Sequence, residues 1–527
     1  MSGRSFEAHE DSSFCFQSTC ESVLVVLMTS LTLLSGCSTS SLKCPSFTGS
    51  FTNASLGSTG TQWAYELSGW ILNSSGVYTP YTEAGIFVVD GNGNITSGTD
   101  AYWGSVVNGT YSVTTNGTGA INLNTANQTG TQSLIWGVTV ANASTNNSPG
   151  LLAVIEMDTF ANSRGAAYQQ NAATLNTPPR GAFVFRTHVT TAGTSIAGSQ
   201  NSVGVISFSG TSVSGDEDWV NGGVASGQFT NFTGTFTSPS AGLGTVSFTD
   251  GLGPRTFDYF VIDANDLLLY ETDSLNITLG LGRAELQETP QGGFVNASFS
   301  GSFAFGGRGD TNASAAGSVN EVGQVATDGN GNVSGGSLDS VRGGAPQLAQ
   351  TIAPGTYAMA ANGRVTITLG TSGIGDVALI FYLIRPTRAF FLVNDTTVVE
   401  DGTVDQQSTT SFSNKTFTGQ YAFVMGGLLA STPVDRTGLI LADGNGNLGW
   451  GQQVNSGGIA ANLCLSGTYS AGANGRVTAS VPSLSDNVVL YLVSPNSAYT
   501  IQGDPEVQLS GALINQDHQV MLVPVLF

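Results

Sequence analysis

Three acidic turns carry the residue types best suited to metal chemistry. In each, an aspartate and two asparagines alternate with glycine, as the first three ligands of a calcium loop do. These residues are Asp90, Asn92 and Asn94; Asp328, Asn330 and Asn332; and Asp443, Asn445 and Asn447. A calcium loop needs glycine at position six, where Ile95, Val333 and Leu448 stand instead. The pattern predicts a weak calcium site at most. Hairpin turns are the favoured interpretation, because Asn and Gly reach positive φ at low cost.

Groups that could support hydrolysis are few. The histidines are His9, His188 and His518, and no Gly-x-Ser-x-Gly segment accompanies them. His188 is the candidate base of an exported hydrolase, but a solvated or hydrogen-bonded histidine is favoured. Acidic clusters at 216–218 and 400–401 could serve a glycosidase, yet neither recurs along the chain, so we expect solvated loops. We therefore predict no catalytic residues.

Aromatic and adhesive motifs point to binding rather than catalysis. Four tryptophans are candidates for stacking on sugar rings, because an indole face packs well against an apolar ring face. They are Trp63, Trp103, Trp136 and Trp219. The tripeptide at 308–310 reads Arg-Gly-Asp, which we interpret as a chance match in a glycine-rich loop.

A fourfold repeat must position these residues. An aromatic-x-aromatic segment opens each unit, at 63–65, 183–185, 303–305 and 421–423. A Gly-Thr-aromatic segment follows at 109–111, 234–236, 355–357 and 467–469. Residues i and i+2 of a strand share a face, so both aromatics should enter one core. In the fourth unit we count about eight strands joined by short loops, with no helix-length segment.

These patterns predict an all-β protein of four tandem antiparallel domains of about 115 to 120 residues. Eight consecutive strands favour meander barrels, and β-sandwiches stay open as the alternative. We predict repeats at 60–174, 175–290 (divergent), 291–408 and 409–527, joined as a string by short polar linkers. The net charge of −21 excludes nucleic acid as a partner, because an acidic surface repels phosphates.

The N-terminus resembles an export signal. Residues 23–34 form an apolar run too short to span a bilayer, and Leu34-Ser35-Gly36-Cys37 resembles a lipobox. We therefore expect a signal peptide at 1–36, lipidation of Cys37 and a tether at 37–59. Cys44 and Cys464 could pair in an oxidising compartment, but two unrelated thiols are the favoured interpretation.

Through these motifs the chain resembles a group of uncharacterised exported lipoproteins of soil bacteria of the acidobacterial kind. The resemblance rests on Tyr-Ala-Phe, Asp-Gly-Asn-Gly-Asn and Gly-Thr-Tyr, and covers residues 60–517. It implies export and a repeated β-domain, and no activity.

The sequence thus favours a non-catalytic, lipid-anchored protein of the outer membrane, periplasm or cell surface. It would act as a spacer or as an adhesive or interaction module, with glycans or other surface proteins as candidate partners. A carbohydrate- or small-ligand-binding barrel protein is the alternative, since an eight-stranded barrel can hold one small molecule. No cofactor is expected apart from the weak calcium sites.

Overall fold

The computed structural model describes residues 45–516, apart from 128–129, 145–148, 192–198, 223, 226–229, 273–277, 312–317, 396 and 483–485. The predicted signal peptide 1–36, Cys37, Cys44 and His518 lie outside these residues. Among the helices of the described part, none is long and apolar enough to cross a membrane.

Four groups of strands follow one another along the chain, and each lies within one of the predicted repeats. Barrel 1 (61–169) contains β1 (Thr61–Leu72), β2 (Tyr78–Val89), β3 (Asn94–Asp100), β4 (Gly104–Val113), β5 (Thr118–Asn127), β6 (Gly130–Asn142), β7 (Leu151–Glu156) and β8 (Ala161–Gln169). Barrel 2 (181–286) contains β9 (Gly181–Thr191), β10 (Gln200–Ser209), β11 (Ser212–Asn221), β12 (Val224–Ala225), β13 (Thr230–Phe236), β14 (Leu243–Asp250), β15 (Gly253–Asp263), β16 (Asp266–Glu271) and β17 (Thr278–Leu286).

Barrels 3 and 4 continue the same order. Barrel 3 (300–406) contains β18 (Ser300–Thr311), β19 (Ser318–Asp328), β20 (Asn332–Arg342), β21 (Ala345–Ile352), β22 (Gly355–Met359), β23 (Arg364–Thr371), β24 (Gly375–Arg385), β25 (Arg388–Val393) and β26 (Val398–Gln406). Barrel 4 (418–515) contains β27 (Thr418–Leu429), β28 (Thr432–Asp443), β29 (Asn447–Ser456), β30 (Ile459–Ala471), β31 (Arg476–Val481), β32 (Asp486–Ser494), β33 (Ser497–Gln502) and β34 (Val507–Asn515).

Each group closes into a barrel because its first strand pairs with its last. β1 pairs with β8, β9 with β17, β18 with β26 and β27 with β34, all antiparallel. Two local departures occur: β12 is a two-residue side strand, and β21 and β22 share the fourth strand position of barrel 3. The four closed eight-stranded meanders confirm the predicted barrels over the sandwich alternative.

The aromatic-x-aromatic motif divides each first strand between two cores. In β18 the rings of Phe303 and Phe305 point into barrel 3. Ala304 lies between them and faces outward, into an apolar contact with barrel 4. The corresponding outward-facing residues of the other three barrels are Ala64, Val184 and Ala422. The alternation therefore serves interior packing on one face of the strand and packing between barrels on the other.

The tyrosine of the Gly-Thr-Tyr motif fixes the segment that enters its own barrel. Tyr357 Oη lies 2.8 Å from the carbonyl oxygen of Asn296 and 2.9 Å from that of Phe299. These carbonyls belong to a short 3-10 helix, Asn296–Ser298, and the residue that follows it. A second 3-10 helix, Asn53–Leu56, stands in the same place before barrel 1. The motif thus closes one end of the barrel with the incoming chain.

The barrels form a closed ring. A glutamine directly after the last strand of each barrel donates from Nε2 to a backbone carbonyl of the next barrel. The four pairs are Gln170 to Val261, Gln287 to Leu383, Gln407 to Leu492 and Gln516 to Val140. The last pair returns from barrel 4 to barrel 1. The predicted string of hinged domains is therefore wrong, because a repeated contact between neighbours closes on itself.

Ion pairs between barrels reinforce every junction of the ring. They are Arg283–Glu66 between barrels 1 and 2; Arg186–Asp401, Arg364–Asp218 and Arg388–Glu285 between barrels 2 and 3; Arg476–Asp339 between barrels 3 and 4; and Arg164–Asp435 between barrels 4 and 1. The carboxylates in these pairs are buried at the junctions. A buried charge that loses its partner is costly, so the pairs fix which faces can meet.

The described part of the predicted tether packs on the ring. Gln420 of barrel 4 accepts a hydrogen bond from the Thr48 amide at 3.0 Å and donates to the Thr48 carbonyl at 2.7 Å. The Phe51 amide then donates to the Thr115 carbonyl of barrel 1 at 3.2 Å. Cys464 on β30 is disulfide-bonded, and its partner lies outside the described residues. The expectation of two unrelated thiols is therefore wrong for Cys464.

Candidate functional site

A cavity of about 100 Å³ lies where the four barrels meet. Every barrel contributes to its wall. The lining residues include Ser68, Trp70 and Tyr81 of barrel 1, His188 of barrel 2, Arg308 and Asp310 of barrel 3, and Leu428 and Gln508 of barrel 4. No single barrel could form this cavity, so it is a product of ring closure. We call it the central cavity.

Repeat symmetry brings four different side chains to this point. The third residue after the second aromatic of each first strand is Ser68, His188, Arg308 or Gly426. By the two-residue period of a strand, this position faces outward, like the small residue of the motif. Three of the four line the central cavity, and Gly427 lines it next to the fourth. The same strand position thus supplies a hydroxyl, an imidazole, a guanidinium and bare backbone.

His188 takes part in a charged network rather than facing solvent. Its Nδ1 lies 3.1 Å from Asp401 Oδ1, and Arg186 donates to Asp401 Oδ2 at 2.7 Å. Asn201 adds a third donor to Asp401 at 2.7 Å. Burial alone would raise the pKa of Asp401, but these hydrogen bonds and the Arg186 charge bring it below its ordinary value. The carboxylate is thus charged and fully engaged.

A weaker pair stands on the opposite junction. Arg164 Nη1 lies 3.5 Å from Asp435 Oδ1, and both side chains are buried. Burial raises the pKa of Asp435 to about 7, and the Arg164 charge offsets this only in part. Burial likewise lowers the pKa of Arg164. At this distance the attraction does not fully replace the water that both groups have lost.

Arg308 differs from the other arginines in the described part of the chain. Its Nη2 donates to Ser68 Oγ at 3.0 Å, and its Nε is buried with no hydrogen-bond partner among the described residues. Each other described arginine that is buried or half-buried has a carboxylate oxygen within 4.0 Å. Burial and then repulsion by Arg164 lower the pKa of Arg308 to about 9. The guanidinium is still positively charged at neutral pH.

The acidic clusters predicted to be solvated loops lie on strands instead, and all of their residues except the half-buried Asp216 are buried. Residues 216–218 lie on β11, where Asp218 accepts two hydrogen bonds of 2.7 Å from Arg364 and one of 2.8 Å from Tyr382. Glu400 and Asp401 lie on β26 and are also buried. The prediction failed because it treated each barrel as isolated, with a solvated outer face. The 308–310 tripeptide lies on β18 at the central cavity rather than in a loop.

The Asp-Gly-Asn-Gly-Asn turns are internally hydrogen-bonded. Asp443 Oδ1 accepts from the backbone amides of Asn445 at 2.7 Å and Asn447 at 3.0 Å, and Oδ2 accepts from Asn447 Nδ2 at 2.6 Å. The other two turns repeat the pattern around Asp90 and Asp328. The hydrogen bond from the asparagine side chain, first among the causes, lowers the pKa of Asp443 to about 2. Amide N–H groups rather than oxygens face the carboxylate, which is turn geometry.

Two of the four predicted stacking tryptophans cannot meet a ligand. Trp63 and Trp136 are completely buried in the core of barrel 1. Trp103 is half-buried, and its Nε1 donates to Tyr81 Oη at 2.8 Å. Trp219 is half-buried on β11. The sequence prediction missed Trp70, which lines the central cavity.

The barrel interiors are filled by side chains. Barrel 2 encloses a space of only about 10 Å³ among apolar residues. Buried charged groups occupy part of each interior. Barrels 2, 3 and 4 each hold an arginine paired with a carboxylate, namely Arg255–Glu271, Arg342–Glu321 and Arg436–Asp486. The interior of barrel 2 is therefore too small for a small-molecule ligand.

Barrel 1 differs from the others in its interior charge. Tyr65 Oη donates to Asp100 at 2.5 Å, Tyr81 donates to Glu83, and Ser163 donates to Glu156 at 2.7 Å. No arginine accompanies these carboxyl groups inside the described part of barrel 1. Burial raises the pKa of all three acids above the ordinary values. Burial thus favours the protonated form of each acid, in which a carboxyl group can donate as well as accept.

The signal for the central cavity was present in the sequence but needed the repeat alignment. Only when the four first strands are superposed do Ser68, His188 and Arg308 fall at one position. Without knowledge of ring closure, nothing in the sequence says that this position faces three other barrels.

No family model matches the chain, and no curated protein matches it. Among solved structures it is similar to Transferrin Binding Protein B from Haemophilus parasuis Hp5, with 7% identity, 69% of this chain and 82% of that chain covered, and a TM-score of 0.17. Transferrin binding protein B from serogroup B Neisseria meningitidis shares 9% identity with this chain, with 68% of this chain and 82% of that chain covered and a TM-score of 0.17. A protein of unknown function of the DUF3598 family from Nostoc punctiforme PCC 73102 shares 10% identity, with 43% of this chain and 95% of that chain covered and a TM-score of 0.14. Likenesses at these TM-scores carry no argument about this chain.

Proposed function

We propose that this protein is a non-catalytic, lipid-anchored interaction module of the cell surface or periplasm, and that its four barrels act as one rigid body. The observation that carries the proposal is the contact between barrel 4 and barrel 1, where Gln516 Nε2 donates to the Val140 carbonyl at 2.5 Å. A closed ring cannot extend as a linear spacer does. It can hold four sets of loops in a fixed arrangement toward a partner.

Several features support export and a non-catalytic role. The disulfide of Cys464 suits an oxidising compartment. The groups with strongly raised pKa values, such as Glu83 and Glu156, lie inside a barrel where no substrate could reach them. Carbohydrate binding at Trp103 or Trp219 is a subsidiary proposal, and at the three acidic turns we favour a hairpin-turn role over calcium binding.

The anchor is tested by metabolic labelling with palmitate in a bacterial host that processes lipoproteins. We expect the full chain to be labelled and to sediment with membranes, and the Cys37→Ser variant to lose both properties. The Cys44→Ser variant is the matched control and should keep the label. Equal labelling of the Cys37→Ser variant would refute the lipid anchor.

The rigid ring is tested by small-angle scattering of the purified chain. A compact body of this length has a radius of gyration of about 24 Å, whereas a string of four domains has a considerably larger one. Turnover assays on ester, peptide and glycoside substrates test the non-catalytic role. Hydrolysis that Arg186→Gln or His188→Ala abolishes would overturn it in favour of an exported hydrolase.

A further inference from the structure

The central cavity contains one arginine that no carboxylate of the described residues contacts directly. Arg308 has no carboxylate oxygen within ion-pair distance among the described residues, and its buried Nε has no acceptor there. Each other buried or half-buried arginine in the described part has such a partner. A buried cation without a partner is costly, so proteins keep one mainly where a ligand supplies the missing charge.

The surrounding charges nearly cancel. Arg164 is opposed by Asp435, and Arg186 by Asp401. Asp310 also lines the cavity and accepts a hydrogen bond of 2.7 Å from Ser199. Together with Arg308 these groups make three positive and three negative charges, so a monoanion adds one net negative charge and a dianion such as phosphate adds two.

Residues with hydrogen-bond donors come from three of the barrels that line the central cavity. Arg308 offers Nε–H, and Ser68 keeps its hydroxyl hydrogen because its oxygen accepts from Arg308. Gln508 Oε1 is occupied by the amide and hydroxyl of Ser318, at 2.7 and 2.8 Å, which leaves its NH₂ group to donate. A guanidinium with flanking donors matches the two oxygens of a carboxylate.

The size and the walls of the cavity limit the rest of the ligand. A volume of about 100 Å³ is smaller than the cavity of roughly 150 Å³ known to hold benzene. Trp70 and Leu428 form apolar parts of the wall. These surfaces suit a short alkyl chain and would not replace the hydration shell of an inorganic ion.

We propose that the central cavity binds one small monocarboxylate per chain, in the size range of acetate and propionate, with its carboxylate on Arg308 and its alkyl part against Trp70 and Leu428. The central cavity would then be a ligand-binding site that forms only when all four barrels are assembled into the ring. This site is independent of the lipid anchor and of any protein partner.

Isothermal titration calorimetry tests this on the purified full chain in a low-salt, chloride-poor buffer, with sodium propionate and sodium phosphate as separate probes. We expect saturable binding of propionate with one site per chain, and weaker binding of phosphate. Arg308→Gln should weaken propionate binding at least tenfold. Arg385→Gln, whose partner Glu288 is exposed on the outside, is the matched control and should bind like the wild type.

Far-UV circular dichroism and melting temperature report whether Arg308→Gln still folds. If that variant fails to fold, Gln508→Leu keeps the experiment decisive, because it removes a donor at the cavity without touching the arginine. Loss of propionate binding in Gln508→Leu supports the proposal. The absence of saturable propionate binding to the wild type would overturn it, as would binding unchanged in the folded variants, or tighter binding of phosphate.

Discussion

The guanidinium of Arg476, on barrel 4, donates two hydrogen bonds of 2.6 Å to the carboxylate of Asp339, on barrel 3. Asp339 is completely buried, and Tyr491 Oη donates to it at 2.7 Å. The same arrangement joins barrels 2 and 3 through Arg364 and Asp218. A repeated pair of this kind selects the correct neighbour, because any other approach would bury an unpaired carboxylate.

The first prediction concerns this pair. Arg476→Met should lower the free energy of unfolding by about 2 to 3 kcal/mol, because Asp339 stays buried with the Tyr491 hydroxyl and the Ala349 amide as donors but without a positive charge. Urea denaturation measures the change. Arg385→Met, which loses a partner on the surface, should cost at most about 1 kcal/mol. Equal effects of the two variants would contradict the structural role assigned to the pair.

The second prediction concerns pH. The pKa of Asp435 is about 7 in the folded protein, against about 3.9 for an unfolded aspartate. Between these values the folded chain holds a proton that the unfolded chain has released, so stability falls as pH rises from about 4 to about 7. At roughly 1.4 kcal/mol per unit of pKa, the loss could reach about 4 kcal/mol.

Asp435→Asn isolates this contribution, because an amide does not titrate. Unfolding free energies at pH 5 and pH 8 should differ less for the variant than for the wild type. Other buried acids, such as Glu83 and Glu156, give both proteins a common pH dependence that cancels in the comparison. Identical pH dependence in the two proteins would show that Asp435 does not titrate in this range.

The third prediction concerns the turn at Asp443. Asp443→Ala removes the acceptor of three turn hydrogen bonds and should lower the melting temperature. Asp443→Asn keeps one side-chain oxygen, so its melting temperature should lie between those of Asp443→Ala and the wild type. Asp376→Ala, at an exposed site on β24, is the control. Calcium should leave all melting temperatures unchanged; stabilisation of the wild type but not of Asp443→Ala would instead establish a metal site.

The fourth prediction concerns ring closure. Asn455 of barrel 4 is buried, and its Nδ2 lies within 3.2 Å of the carbonyl oxygens of Glu156, Asp158 and Ala161 of barrel 1. Asn455→Ala should cost about 1 to 3 kcal/mol, because buried acceptors lose their donor. Scattering at moderate urea should show expansion at a lower concentration than for the wild type. Asn462→Ala, exposed on β30, should match the wild type; if both variants expand alike, the contact does not close the ring.

The barrels were predictable from sequence because local rules determine them. Turn residues set the chain reversals, and alternation sets which side chains enter a barrel. The ring was harder to predict, although one strand carried the signal. Phe381 and Leu383 point into barrel 3, while the alternating residues Tyr382 and Ile384 pack on barrel 2. A strand that is apolar on both faces has two buried faces, and the second face needed a partner.

The central cavity was beyond sequence reasoning for a different reason. Its residues come from four separate repeats, and their approach depends on the angle between neighbouring barrels rather than on any local pattern. The net charge of −21 predicts an acidic surface, but it does not say where the charged residues lie. Most of the arginines are in fact at junctions or inside barrels, where pairing decides their positions.

The contact between barrels 1 and 4 also sets an order of events during biosynthesis. A chain emerges N-terminus first, so barrel 1 is complete while residues 418–515 are still to come. Ala141 and Ile155 share an apolar cluster with barrel 4. Until barrel 4 is synthesised, they are exposed to solvent and can associate with other chains. Barrel 1 therefore has an uncovered apolar face until barrel 4 has been synthesised. We expect the nascent chain to need a holding chaperone until translation ends.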